Sequence, residues 1–177
     1  MIKPVHRNML PLFLQSLGHT GTAVEVGVAE GNYSRTFLDL WPGQYVMVDR
    51  WCHIEGYDDV MNGPDAEHEL RFQQAFAVAN QHASRCRMCR MDSVTAAATF
   101  ADRSLDFVYI DGDHSYAGCR RDILAWAPKV KVGGVLAGHD YYNMPPFEVR
   151  RAVAETCGGP CGITHEACPS WWVIIGE

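Results

Sequence analysis

Two short runs of the chain gather most of the groups able to move a proton or hold a charged ligand. They are Asp111-Gly112-Asp113-His114-Ser115-Tyr116 and Gly138-His139-Asp140-Tyr141. Imidazole titrates near neutral pH, so His139 or His114 could take a proton from a hydroxyl, with Asp111 and Asp140 as the carboxylates beside it. His114 could equally cap a helix or pack on a ligand. Each run is preceded by apolar, β-branched residues, Leu105 to Asp111 and Val135 to Tyr142, which read as strands. If these strands are parallel neighbours, Asp111 and His139-Asp140 lie side by side at the carboxyl edge of the sheet, where open α/β sheets bind ligands.

A third stretch supplies the cradle. Ala23-Val24-Glu25-Val26 reads as a strand, Gly27 and Gly31 permit a tight turn, and Ser34 to Leu40 resumes an amphipathic helical pattern. A dinucleotide fingerprint needs G-x-G-x-x-G, and Glu25 stands where its first glycine would be, which argues against NAD. Gln44 to Asp49 reads as the next strand. Asp49 ends it about 20 residues beyond the glycine turn, the spacing at which a carboxylate meets a ribose diol in a Rossmann-like sheet.

The remaining elements follow from periodicity. Residues 5 to 17 read as a helix that Pro11 kinks or restarts. Residues 52 to 65 form a polar loop on the substrate side, and 66 to 83 a long helix. A strand from Cys86 to Met91 leads to Asp92-Ser93, which suits an N-cap for a helix from Val94. A helix over 116 to 130 and a turn at Gly133-Gly134 come before the strand from Val135. Pro145-Pro146 introduces a helix over 147 to 157, and 162 to 165 with 171 to 175 form a terminal strand pair. Neither repeats nor low-complexity tracts occur.

At 177 residues and 47% hydrophobic, the chain suits one α/β domain, taken as 1 to 177. A net charge of -6 disfavours nucleic acid or an anionic membrane as partner. No run approaches the roughly 20 apolar residues of a membrane span. The N-terminal residues lack the basic flank, apolar run and cleavage site of a signal peptide, so a cytoplasmic location is expected. Seven cysteines, an odd number in a core-rich chain, suit reduced thiols. Cys86 and Cys89 share a strand at a spacing that points them to opposite faces, which disfavours a joint metal or redox site. Cys157, Cys161 and Cys168 cluster in sequence with His165, a further arrangement that could hold a metal.

The pattern Glu25-x-Gly27-x-x-x-Gly31 together with Asp49, the Asp111-to-Tyr116 run and Gly133-Gly134-x-x-x-Gly138-His139-Asp140-Tyr141 resembles class I S-adenosylmethionine (SAM) dependent methyltransferases. The likeness is to the small O-methyltransferases of sugar and antibiotic tailoring, and it spans about residues 22 to 142. It implies a Rossmann-like three-layer sandwich whose mostly parallel seven-stranded sheet ends in an antiparallel hairpin. It implies SAM as cofactor, with Glu25 near its methionine end and Gly27, Gly31 and Ser34 around its body. Asp49 would hold the ribose, Arg50 and Trp51 would pack on the adenine, and Asp92-Ser93 would meet its amine. Asp111 and His114 would complete the cofactor site.

In cation-dependent relatives, carboxylates at the places of Asp111 and Asp140 hold Mg²⁺ against the acceptor hydroxyl. His139 departs from that pattern, and as a ligand it would admit Mn²⁺ or another imidazole-tolerant metal. The expected activity is methylation of a hydroxyl on a sugar, phenol or natural product. A SAM-fold enzyme of another class, such as an aminopropyl transferase or hydrolase, and a non-catalytic SAM-binding module are the alternatives. The acceptor would be a small molecule, its site built from residues 52 to 65, 141 to 147, the N-terminal helix, or a neighbouring subunit of a homo-oligomer.

Overall fold

The computed structural model describes residues 2–57, 59–144 and 147–176. The chain begins with a 3-10 turn, Arg7–Met9, and then α1 (Leu10–Ser16). Pro11 sits in the first turn of α1, where its missing N–H has no helical partner to lose, so the proline restarts the helix instead of kinking it. Then come β1 (Thr22–Val26), α2 (Asn32–Leu40), β2 (Gln44–Asp49), α3 (Asp65–Gln81), β3 (Cys86–Arg90) and α4 (Ser93–Ala97). The second half holds β4 (Leu105–Ile110), α5 (Tyr116–Trp126), β5 (Val130–Gly138), α6 (Val149–Cys157), β6 (Gly162–Ile163) and β7 (Trp171–Ile174).

The seven strands form one sheet in the order β3-β2-β1-β4-β5-β7-β6. Strands β1 to β5 are parallel, whereas β7 runs antiparallel to both β5 and β6. Alternation along the strands sorts side chains into two layers. Ala23, Tyr45, Met47, Phe107, Tyr109 and Val135 pack on one face with Leu10, Phe37 and Val78 of α1, α2 and α3. Val24, Val46, Val48, Val108 and Leu136 pack on the other with Ala96, Ile123 and Val153 of α4, α5 and α6. The result is the expected Rossmann-like three-layer sandwich with a C-terminal antiparallel hairpin.

Three elements differ in their bounds from the sequence reading. Helix α5 stops at Trp126 and tightens into a 3-10 turn over Ala127–Lys129, because Pro128 cannot donate to a continuing helix. Strand β5 starts at Val130, before the two glycines, and its register against β4 jumps from Leu105↔Val130 to Phe107↔Val135. The bulge absorbs Gly133, at φ +79°, inside the strand, and β5 ends at Gly138. His139 and Asp140 are therefore loop residues, with Asp140 in the left-handed region at φ +49°. Helix α6 starts at Val149, since Phe147 bridges back to Met144 and Glu148 N–H donates to the His114 carbonyl. The expected break at Pro145-Pro146, like Asp58 of the substrate-side loop, lies outside the described residues.

Candidate active site

The chain proceeds from β1 outward to β2 and β3, then returns to the other side of β1 for β4 and β5. Loops on either side of that reversal diverge and leave a crevice at the carboxyl edge. There a cavity of 880 Å³ runs from Asp92, after β3, past Asp49 and Gly27, to Asp111 and Asp140 after β4 and β5. Its size suits a small organic ligand.

The glycine turn must be glycine. Gly27 has φ +85°, and a Cβ there would lie 2.1 Å from the Asp111 carbonyl oxygen, so any side chain would push the β1 and β4 loops apart. Asp49 anchors the same turn: Oδ2 accepts from the amides of Val28 (2.8 Å) and Ala29 (3.0 Å), and Oδ1 from that of Trp51 (2.8 Å). Three of roughly four acceptor positions of this carboxylate are thus filled by the protein's own backbone, a role its sequence position did not disclose.

Trp51 does not present its ring as the adenine plate expected from the sequence. The indole is 1% exposed, sits edge-on to Phe72 and donates Nε1–H to the Ala29 carbonyl at 2.8 Å. It forms a rigid wall under the turn, because packing against α3 outweighs exposure of so large an apolar surface. Arg50 reaches sideways to Asp92 at 2.7 Å. Asp92 also N-caps α4 through the amides of Val94 and Thr95. Burial works to raise its pKa, yet the Thr95 amide and Arg50 hold it below the usual range. Ser93 Oγ accepts the Trp126 indole N–H at 2.9 Å and contacts Asp122, whose acid burial pushes up to about 6.

Glu25 points from β1 into the α1-α2-α3 layer and is 1% exposed. Its Oε2 accepts from the hydroxyls of Ser34 and, at 2.6 Å, Tyr45. Two hydroxyl donors favour the ionised form, but desolvation outweighs them and raises the acid to about 8. Ser34 is wholly buried behind Glu25, so it orders that side chain more directly than any ligand.

At the other end of the cavity two carboxylates and two imidazoles interlock. His114 Nε2 lies 3.1 Å from Asp140 Oδ2 and 3.4 Å from Asp111 Oδ1, and its Nδ1 lies 3.4 Å from Asp59 Oδ2. His139 Nδ1 lies 3.3 Å from Asp140 Oδ2 and 3.5 Å from Asp111 Oδ1. Burial opposes protonation of the imidazoles, but the two carboxylates prevail, raising His114 to about 10 and His139 to about 9. Asp111 and Asp140 are correspondingly held below the ordinary carboxylate range against the effect of burial, by hydrogen bonds from both histidines. Both imidazoles are thus cationic at neutral pH when faced only by these carboxylates. To serve as a general base, either imidazole would first have to release that proton, as when a ligand engages the same carboxylates.

One ligand atom from each of Asp111, His139 and Asp140 falls within 4.8 Å of the others, and among the described residues this is the one group of three or more spaced to hold a metal ion. The Cys157, Cys161, Cys168 and His165 arrangement forms no such group, and Cys161 and Cys168 are exposed. Cys86 and Cys89 pack on opposite faces of the sheet, as their spacing requires.

The cavity also contains residues that the sequence did not single out, although residues 52 to 65, 141 to 147 and the N-terminal helix were expected on the acceptor side. Arg7 enters from the N-terminal turn, Asp59 and Tyr57 from the loop before α3, Asp122 from α5, and Phe147 lies with its ring 5.3 Å from that of His114. Asp122 lies outside those segments and had a signal of its own: it occupies a core position of α5, in helical spacing with Cys119, Ile123 and Trp126, where a carboxylate needs a reason.

Residues 24–141 match the methyltransferase-domain family, and the chain belongs to it. With that family and this fold, the molecule is a SAM-dependent methyltransferase. No curated protein matches the sequence. Among solved structures it resembles a protein from Corynebacterium glutamicum, at 16% identity and a TM-score of 0.65 over 98% of this chain and 83% of that one. The calicheamicin methyltransferase CalS11 gives 16% identity and 0.64 over 98% and 82%. A geranyl diphosphate methyltransferase in complex with SAM gives 13% identity and 0.59 over 89% and 67%. At such identities the likeness is one of fold.

Proposed function

We propose that this methyltransferase transfers the methyl group to a hydroxyl of a small molecule, with a divalent cation held by Asp111, His139 and Asp140. The convergence of those three ligand atoms within 4.8 Å, at the reacting end of the cavity, carries the reading. Two ionised carboxylates and one imidazole suit Mn²⁺ as well as Mg²⁺. Such a cation, when bound, supplies Lewis acidity toward an acceptor oxygen, and SAM supplies a methyl group that already carries its leaving group.

The chain's own residues then chiefly align and exclude. The Gly27 turn, held by Asp49, gives the cofactor a preformed wall. Asp111 and Asp140 face the reacting centre as anions. His114, held between them and Asp59, fixes the orientation of both carboxylates. Phe147 packs its ring 5.3 Å from that of His114 and covers part of it. His139 must release its proton to act as a ligand, which two neighbouring anions make unfavourable unless a cation replaces that proton.

Calorimetric titration with SAM and with S-adenosylhomocysteine, in metal-free buffer and with Mg²⁺ or Mn²⁺, tests the reading. Both cofactor forms should bind, and turnover of catechol or sugar hydroxyls should depend on the cation. Turnover at full rate in chelator would remove the metal from the proposal; failure of both cofactor forms to bind would remove the assignment itself.

A further inference from the structure

We infer that Arg7 receives the α-carboxylate of the amino-acid half of SAM, an inference that rests on the cofactor reading above. Arg7 is built in place from both sides of its peptide units. Its amide donates to Glu166 Oε1 at 3.0 Å, and its carbonyl accepts from the Tyr33 hydroxyl at 3.2 Å. The guanidinium lies over the Tyr33 ring, 4.9 Å from its centroid, and lines the cavity. Its one carboxylate contact among the described residues is single and long, Nη1 to Asp111 Oδ2 at 3.4 Å. Most of a five-donor fork therefore remains to meet a planar anion.

The position fits the ligand's layout. The sulfonium must stand near Asp111 and Asp140 for the methyl to meet an acceptor there. Asp49 draws the ribose toward β2, away from β4, so the amino-acid tail leaves the sulfur on the β1-β4 side. A carboxylate entering that end meets the anions of Asp111 and Asp140 and needs a cation to offset them.

The other arginines of the cavity are committed elsewhere. Arg50 pairs with Asp92 and Arg121 with Asp122, both toward β3. Arg71 pairs with Glu30 and Glu67 and ties down the Met61 carbonyl. His114 and His139 are each divided between Asp111 and Asp140. Among the described residues Arg7, with its single 3.4 Å contact to Asp111, is the arginine at the reacting end, and most of its donors are free to meet a ligand there. An acidic acceptor offers the same carboxylate chemistry, and the experiment separates the two sources.

The test is calorimetric binding of SAM and of decarboxylated SAM, which lacks only the carboxylate, to the wild-type chain, Arg7→Met and Arg7→Lys. Wild type should prefer SAM by about 10- to 100-fold, the range of a charge-assisted hydrogen bond. Arg7→Met should bind both alike, and Arg7→Lys should keep part of the preference. Equal binding of the two ligands by wild type, or an undiminished preference in Arg7→Met, overturns the inference. So does a rise confined to acceptor KM in Arg7→Met, which would place an acidic acceptor there. If Arg7→Met does not fold, as judged by its thermal transition, the wild-type comparison and Arg7→Lys decide. Absence of SAM binding by wild type would instead strike the cofactor reading.

Discussion

Replacing Glu25 by Gln should change how the stability of this protein depends on pH, more than it changes the fold. The side chain is buried, and Ser34 and Tyr45 both donate to a single oxygen, which a Gln carbonyl can replace. In the fold its acid is raised from 4.5 to about 8, chiefly by desolvation. That gap of about 3.5 pH units is worth about 5 kcal/mol between protonation states. The sign follows from linkage. The folded state holds the proton more tightly, so this contribution is complete below the unfolded value of 4.5 and is lost as pH rises through about 8. Between about pH 5.5 and about pH 8.5, wild type should lose about 3 kcal/mol that Glu25→Gln does not lose.

Urea unfolding of both proteins at those two pH values measures the difference, and titrations common to both cancel. A wild-type-minus-variant difference that stays level across the range would refute the reasoning, since it would mean that Glu25 is ionised in the fold. A carboxylate stabilised by its hydroxyl donors would also give a level difference here, because both states are then ionised across the range.

Other perturbations should separate chemistry from architecture. Asp111→Ala should lower kcat by about 100-fold or more while SAM affinity changes far less, and near-normal turnover would contradict its place at the reacting centre. Gly27→Ala should destabilise the fold or abolish SAM binding, because its Cβ would stand 2.1 Å from the Asp111 carbonyl; unchanged melting and binding would show that the loops yield. Asp122→Asn should raise KM for SAM several-fold with little effect on kcat by loosening Ser93, and an unchanged KM would show that α5 does not shape that end of the cavity.

The sheet was legible because Val24, Val46, Val108 and Leu136 alternate with residues of the opposite layer, and a period of two survives any tertiary context. Asp49, Asp111 and Asp140 were legible as strand-end carboxylates from their spacing to glycines. What they bond to was not. Asp49 binds backbone amides of the turn, which only the folded path of Val28 to Trp51 brings to it. The elevated protonation of His114 and His139 depends on sharing Asp111 and Asp140, groups up to 29 residues apart in sequence that meet only when β4 and β5 pair. Arg7 lies 104 residues from Asp111, with no pattern around it to announce a site. The bulge in β5 also escaped, because two glycines in sequence read equally well as a turn.

The Asp49 clasp bears on which nucleotides this protein can hold. In sheets of this kind, free amides of the first βα turn attract the phosphates of ATP or dinucleotides. Here the amides of Val28 and Ala29 are already neutralised by an internal carboxylate. A triphosphate would find those donors spent and a negative charge in their place. A nucleoside joined to a cation loses nothing by that exchange, so the turn should disfavour phosphorylated adenosines relative to a cationic one.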